Sequence, residues 1–128
     1  MTTTHSKSNG SATSREGAPA TSVWVTAQSS PASQRKDRYV TESTAHPAKM
    51  LPAIAAHAIE HYTEPGDLVL DPMCGIGTTL IEAVHAGRGA VGVEYEPHWI
   101  SVANANLQLA RDTGIAHDVI IDAWWTSL

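Results

Sequence analysis

Between residues 68 and 83 the chain reads LVLDPMCGIGTTLIEA, and the groups in it able to do chemistry are Asp71, Cys74 and Thr78, spaced by Gly75 and Gly77. A carboxylate at the end of an apolar run, then two glycines ahead of a helical pattern, describes a turn where a parallel sheet brings its backbone up to a ligand. Glu94 follows 23 residues after Asp71, at the end of the next apolar run. From there a carboxylate can accept two hydrogen bonds from ribose hydroxyls, so the pair points to a nucleoside-containing cofactor. A dinucleotide fingerprint needs a small residue at position 80, which is Leu80. A carboxylate in the glycine turn would also repel a pyrophosphate. S-adenosylmethionine, with its ribose, ammonium and sulfonium cation, suits Asp71 and Glu94 better.

Two other patterns carry possible chemistry. Cys74 could be a nucleophile attacking C5 of a cytosine, but Met73 rather than proline precedes it, and no His or Lys stands beside it to lower its pKa. HAIEH, residues 57 to 61, matches the H-x-x-E-H zinc-peptidase signature, with His57 and His61 one helical turn apart. No third ligand can be picked out, and both histidines fall on the polar flank of a helical stripe. No metal site is expected.

Positioning these residues requires an alternation of helices and strands. Leu51, Ile54, Ala55, Ala58, Ile59 and Tyr62 recur at helical spacing within residues 46–62, with Pro52 fitting only the first turn. LVLD, residues 68–71, reads as a strand buried on both faces, and the pattern after the glycine loop is a helix ending near Gly87. AVGVE, residues 90–94, is a second strand. A helix then starts at Pro97 with Ile100, Ala103, Leu107 and Ala110 on one face and closes at Gly114, and DVIID, residues 118–122, is a third strand. Short connections between such elements predict an α/β unit with about three parallel strands, roughly half of a doubly wound domain.

Residues 1–45 differ in kind. They hold 17 Ser or Thr and almost no Leu or Ile, a composition that predicts a mostly disordered region. Within it, TSVWVTAQ, residues 21–28, could be a short strand or a docking segment. Domain organisation is therefore read as 1–45 disordered, 46–122 folded, and 123–128 a tail. No run of 18 apolar residues and no secretory h-region is present, so neither a membrane span nor a signal is indicated and a cytoplasmic location is expected. The single cysteine excludes an internal disulfide. From residue 46 onward three basic and ten acidic residues leave a net charge of −7, so no basic surface for gripping nucleic acid is evident.

HPAKM (46–50), DPMCGIGTT (71–79) and GVEYE (92–96), in that order, resemble the amino-methylating DNA methyltransferases, which modify N4 of cytosine or N6 of adenine. The resemblance covers residues 46–122. It implies a Rossmann-like methyltransferase fold, S-adenosylmethionine as cofactor and DNA as partner. It places His46 and Lys49 near the methionine carboxylate, and Asp71, Pro72, Cys74, Gly75, Gly77 and Thr78 in the methionine and ribose cradle. Glu94, followed by Tyr95, would hold the ribose, and Asp122 would meet the adenine amino group, with Ile121 where the family usually has glycine. The family's [D/N/S]-P-P-[Y/F/W] motif, which orients the target amine, has no counterpart, since no two of the seven prolines are adjacent. The cofactor half of such an enzyme is thus expected without its acceptor half, and no catalytic residue is identified. The loop alone also resembles the RNA guanine-N2 methyltransferases, and a non-catalytic cofactor-binding fragment is a further alternative.

Overall fold

The computed structural model describes residues 22–115 and the backbone of the strand at 121–124. In chain order the elements are α1 (Pro31–Arg35), a 3-10 turn (Thr41–Ala45), α2 (Pro52–Tyr62), β1 (Leu68–Asp71), α3 (Thr78–His85), β2 (Gly89–Val93), α4 (Pro97–Asp112) and β3 (Ile121–Trp124). The strands form one parallel sheet in the order β1-β2-β3, with α3 and α4 as the crossovers. This is the α/β unit that the alternation of patterns predicts.

Local chemistry sets the helix ends. Proline occupies the first turn of α2 and of α4, where its missing N–H costs nothing. At the far end of α3, the Gly87 amide donates to the Val84 carbonyl at 3.0 Å and the Arg88 amide to the Ala83 carbonyl at 2.8 Å. The same pair of bonds closes α4, from Gly114 to Arg111 and from Ile115 to Ala110. Each motif turns the chain out of its helix and toward the next strand.

One face of the sheet carries the core. Val69 and Ala90 pack with Leu80, Ile81, Val84 and Leu107 from α3 and α4. On the opposite face Leu68 and Leu70 are 67% and 63% exposed, so β1 is covered on one side only, contrary to the expected burial of both faces. The physical reason is the pleat: alternate side chains point to opposite faces, and the helices α3 and α4 serve a single one.

Helix α2 begins at Pro52, in its first turn as expected; the lead-in at 46–50 is non-helical, with a turn at Pro47 and Ala48, and of the predicted stripe only Ala55 and Ile59 are buried. Two stretches differ from the sequence reading. Strand β3 is shifted toward the C-terminus, and Asp122 lies opposite Val91 with Ala123 and Trp124 still to follow. Its backbone is therefore short of the sheet's carboxyl edge; its side chain, like residues 118–120, lies outside the described residues.

The second difference concerns residues 31–45, which were expected to be disordered and instead form ordered structure against the core. Tyr39 is buried, its hydroxyl donating to Glu82 of α3 at 2.7 Å, and Arg38 pairs with the same carboxylate at 3.0 Å. Gln34 accepts the Ala53 amide at the start of α2, and the buried Arg35 guanidinium donates to the Met50 carbonyl. Averaging over 45 residues hid this short segment, whose few large side chains find partners only in the tertiary structure. Residues 22–28 form no strand; Trp24 leans on His57 with ring centroids 4.6 Å apart. The remainder of the predicted disordered region, 1–21, lies outside the described residues.

Candidate functional site

A cavity of about 570 Å³ opens at the carboxyl end of β1 and β2, the side of a parallel sheet where ligands bind. Its walls include the lead-in residues His46 and Lys49, the turn residues Asp71, Pro72, Cys74, Gly75 and Thr78, and Glu94 and Tyr95 after β2. Nine of the eleven residues singled out in the sequence thus share one cavity. Gly77 lies beneath it as the N-cap of α3, and Asp122 is placed only as backbone on β3.

The turn is built by hydrogen bonds that begin where the strand ends. Asp71 Oδ1 accepts the Met73 amide at 3.1 Å, and the Cys74 amide donates to the Val93 carbonyl at 2.9 Å, extending the β1–β2 pairing into the loop. Gly75 and Gly77 then take φ of 52° and 82°, the left-handed region that a Cβ disfavours. At Gly75 space is limiting too, because an added Cβ would lie 3.2 Å from His46 Nε2.

Glu94 ties the two strand ends together. Its Oε2 accepts the Gly75 amide at 2.9 Å, and its Oε1 accepts the amides of Tyr95 and Glu96 at 2.7 and 2.8 Å. A carboxylate has about four acceptor sites, so these three bonds leave about one for a ligand hydroxyl rather than two. The lead-in is fixed in turn. Lys49 Nζ donates to the carbonyls of Thr44 at 3.0 Å and His46 at 2.9 Å, while His46 Nδ1 accepts the Ala48 amide at 3.2 Å. The Thr78 side chain helps line the cavity, but its hydroxyl oxygen is buried, with no hydrogen-bond partner among the described residues.

Cys74 is a poor nucleophile here. Burial, with the Asp71 and Glu94 carboxylates adding repulsion, pushes its thiol up to about 11. At neutral pH it carries its proton, and its sulfur serves as packing against β2. His57 and His61 stack on each other at 3.9 Å, and His61 Nδ1 is 2.8 Å from the His57 carbonyl. Among the described residues no group of three His, Cys, Asp or Glu comes together to hold a metal ion.

Two contributors escaped the sequence reading. Gly92 must lack a side chain, since a Cβ would sit 2.7 Å from Cys74 Sγ and 2.6 Å from Leu80 Cδ1; a glycine inside a buried strand pattern was the available cue. Asn106 is fully buried on α4 and reaches the Ile76 carbonyl at 2.9 Å. Its cue was an amide lying among the apolar positions of that helix.

A sequence model of the N6/N4 DNA methylases matches residues 1–105. The chain belongs to that family. Among its relatives, the type II methyltransferase M.BglI of Bacillus subtilis is 35% identical over 69 residues, 54% of this chain and 20% of that protein. The type II methyltransferase M.MjaII of Methanocaldococcus jannaschii is 29% identical over 65 residues, 49% of this chain and 12% of its own length. A solved putative DNA modification methylase from Thermus thermophilus, complexed with S-adenosyl-L-methionine, superposes with a TM-score of 0.47 at 26% identity, over 74% of this chain and 43% of that one. The chain thus spans about a fifth or less of these two type II relatives. No helix among the described residues is long and apolar enough to cross a membrane.

Proposed function

We propose that this chain binds S-adenosylmethionine at the carboxyl edge of its sheet, as the donor-binding part of an enzyme that methylates an exocyclic amine of a DNA base. One observation carries the reading: the lead-in, the glycine turn and Glu94 converge on a single cavity. The charge of the walls fits a cationic ligand. Two carboxylates, Asp71 and Glu94, face the cavity against the single ammonium of Lys49, which keeps one of its three N–H donors after bonding two carbonyls. Support also comes from the family match.

When bound, the cofactor supplies an activated methyl group on its sulfonium. The chain's own residues would hold it. Asp71 offers a carboxylate to the ammonium, His46 and Lys49 offer N–H donors to the carboxylate of the methionine part, and Glu94 keeps about one acceptor site for a ribose hydroxyl. Gly75 lets the ligand come close to the backbone.

Activating an exocyclic amine is a separate task, because its lone pair is delocalised into the ring until hydrogen-bond acceptors orient it. No Pro-Pro-aromatic motif is present in these 128 residues to do this. In our reading the acceptor-binding part is supplied from outside them, as is most of the DNA-gripping surface. Of the three basic residues from position 46 onward, Lys49 is bound within the lead-in and Arg88 is buried, leaving Arg111.

Calorimetric titration with S-adenosylmethionine and S-adenosylhomocysteine tests the proposal. Binding should be weakened by Asp71→Ala and by Glu94→Ala and barely changed by Cys74→Ser. No binding, or equal losses in all three variants, would overturn it.

A further inference from the structure

The cavity depends on two segments with no covalent reason to stay in register: the lead-in at 46–49 and the glycine turn at 74–78. Their common neighbour is α4. Trp99, Ala103 and Asn106 fall at i, i+4 and i+7 and so share one face of that helix. Each touches a different part of the site. The Trp99 ring meets His46 with centroids 4.4 Å apart at 64°. Ala103 Cβ lies 3.3 Å from where a Cβ on Gly77 would be, so helix and turn are in close approach.

Asn106 makes the most specific connections. Its Nδ2 donates to the Ile76 carbonyl at 2.9 Å, inside the glycine turn, and its Oδ1 accepts the Val40 amide at 2.7 Å. Ser43 Oγ lies within hydrogen-bonding distance of both ends of the amide, at 2.9 Å from Nδ2 and 3.2 Å from Oδ1. A fully buried amide is costly unless it is satisfied, and an apolar residue would fill such a position at less cost. What an apolar residue cannot do is bond the turn and the chain before the lead-in at once.

We propose that Asn106 is a positioning residue, backed by Trp99 and Ala103, that holds the His46–Lys49 lead-in in register with the glycine turn and thereby sets affinity for the methyl donor. The inference rests on the donor-binding reading above. Through this register the imidazole of His46 is aimed across the turn. Its Nδ1 accepts the Ala48 amide, so the neutral ring carries its proton on Nε2, the nitrogen nearest Gly75.

The test compares Asn106→Ala with Val84→Ala, a buried α3 change that serves as a control for lost stability alone. S-adenosylhomocysteine affinity is measured by calorimetry well below both melting temperatures, and amide hydrogen exchange is followed in the ligand-free proteins. Asn106→Ala should weaken binding by about tenfold or more, against about twofold or less for the control. Exchange at residues 46–49 and 74–78 should accelerate together in Asn106→Ala and not in Val84→Ala. Asn106→Asp keeps the acceptor for Val40 and loses the donor to Ile76, so it should free the turn more than the lead-in. Ser43→Ala is the milder variant should the Asn106 changes unfold the protein, and it should show the same paired acceleration to a smaller degree. Affinity and exchange changes that merely track the control would overturn the inference. If wild-type protein binds no S-adenosylhomocysteine, the donor-binding reading fails, and with it the claim on affinity, while the exchange pattern still decides whether Asn106 holds the two segments in register.

Discussion

Replacing Gly92 by alanine should damage the site from beneath. Alanine normally gains about 0.5–1 kcal/mol over glycine inside a strand, because it loses less backbone entropy on folding. Here the added Cβ would lie 2.6 Å from Leu80 Cδ1, 2.7 Å from Cys74 Sγ and 3.1 Å from Cys74 Cβ. Carbon contacts settle at about 3.5–4.0 Å, so the overlap is roughly 1 Å on two sides. Leu80 is fully buried and has nowhere to go. The loop is the softer partner, and its retreat from β2 stretches the Cys74–Val93 backbone bond and the Gly75–Glu94 bond, both 2.9 Å. Overpacking costs about 1–3 kcal/mol and each of the two weakened hydrogen bonds about 1, so a net loss of about 2–4 kcal/mol is expected after the alanine gain. Urea unfolding measures this, and titration with S-adenosylhomocysteine should show weaker binding in the same variant. Adding Cys74→Ala removes the sulfur and should recover about 1 kcal/mol beyond the sum of the single changes. A Gly92→Ala protein as stable as wild type, or a double variant with no coupling, would refute the reasoning.

Three further outcomes follow from the same structure. With its thiol raised from 9.0 to about 11, Cys74 should react with iodoacetamide at pH 8 about a hundredfold more slowly than an unperturbed thiol, and at an ordinary rate once the protein is unfolded in urea; fast labelling of the folded protein would contradict its burial. Burial raises the carboxyl of Glu82, so the folded state holds this proton more tightly than the unfolded chain; the stability so gained is complete below about pH 4.3 and is lost as pH rises through the folded value. Glu82→Gln should therefore flatten the fall in unfolding free energy between pH 4 and pH 7 relative to wild type, and an unchanged slope would show that Glu82 does not contribute to it. Equimolar zinc should leave the melting temperature of the chelator-treated protein unchanged, and a zinc-dependent rise abolished by His57→Ala would restore the H-x-x-E-H hypothesis.

The glycine turn, the alternation of helices and strands and the position of Glu94 were legible because each is a local matter. Left-handed glycines, an Asp-Pro strand end and apolar periodicity follow from a few neighbouring residues and the backbone they permit. The helix start at Pro52 was legible on the same terms, because proline fits only the first turn of a helix. Residues 31–45 were not, because their partners lie far along the chain. Their composition resembles that of a chain unable to form a core, yet Tyr39 and Ser43 are buried because α3 and α4 supply partners 43 and 63 residues away.

By itself the sequence determined that a parallel α/β unit places a glycine turn and two carboxylates around a ligand-sized space, since those features are written in spacings of a few residues. Only the tertiary structure decided which side chains hold that space open. Gly92 and Asn106 matter because of atoms brought to them by long-range packing: Cys74 against β2, and Ile76 and Ser43 against α4. Such contacts depend on how the elements close on one another, and no local pattern specifies them.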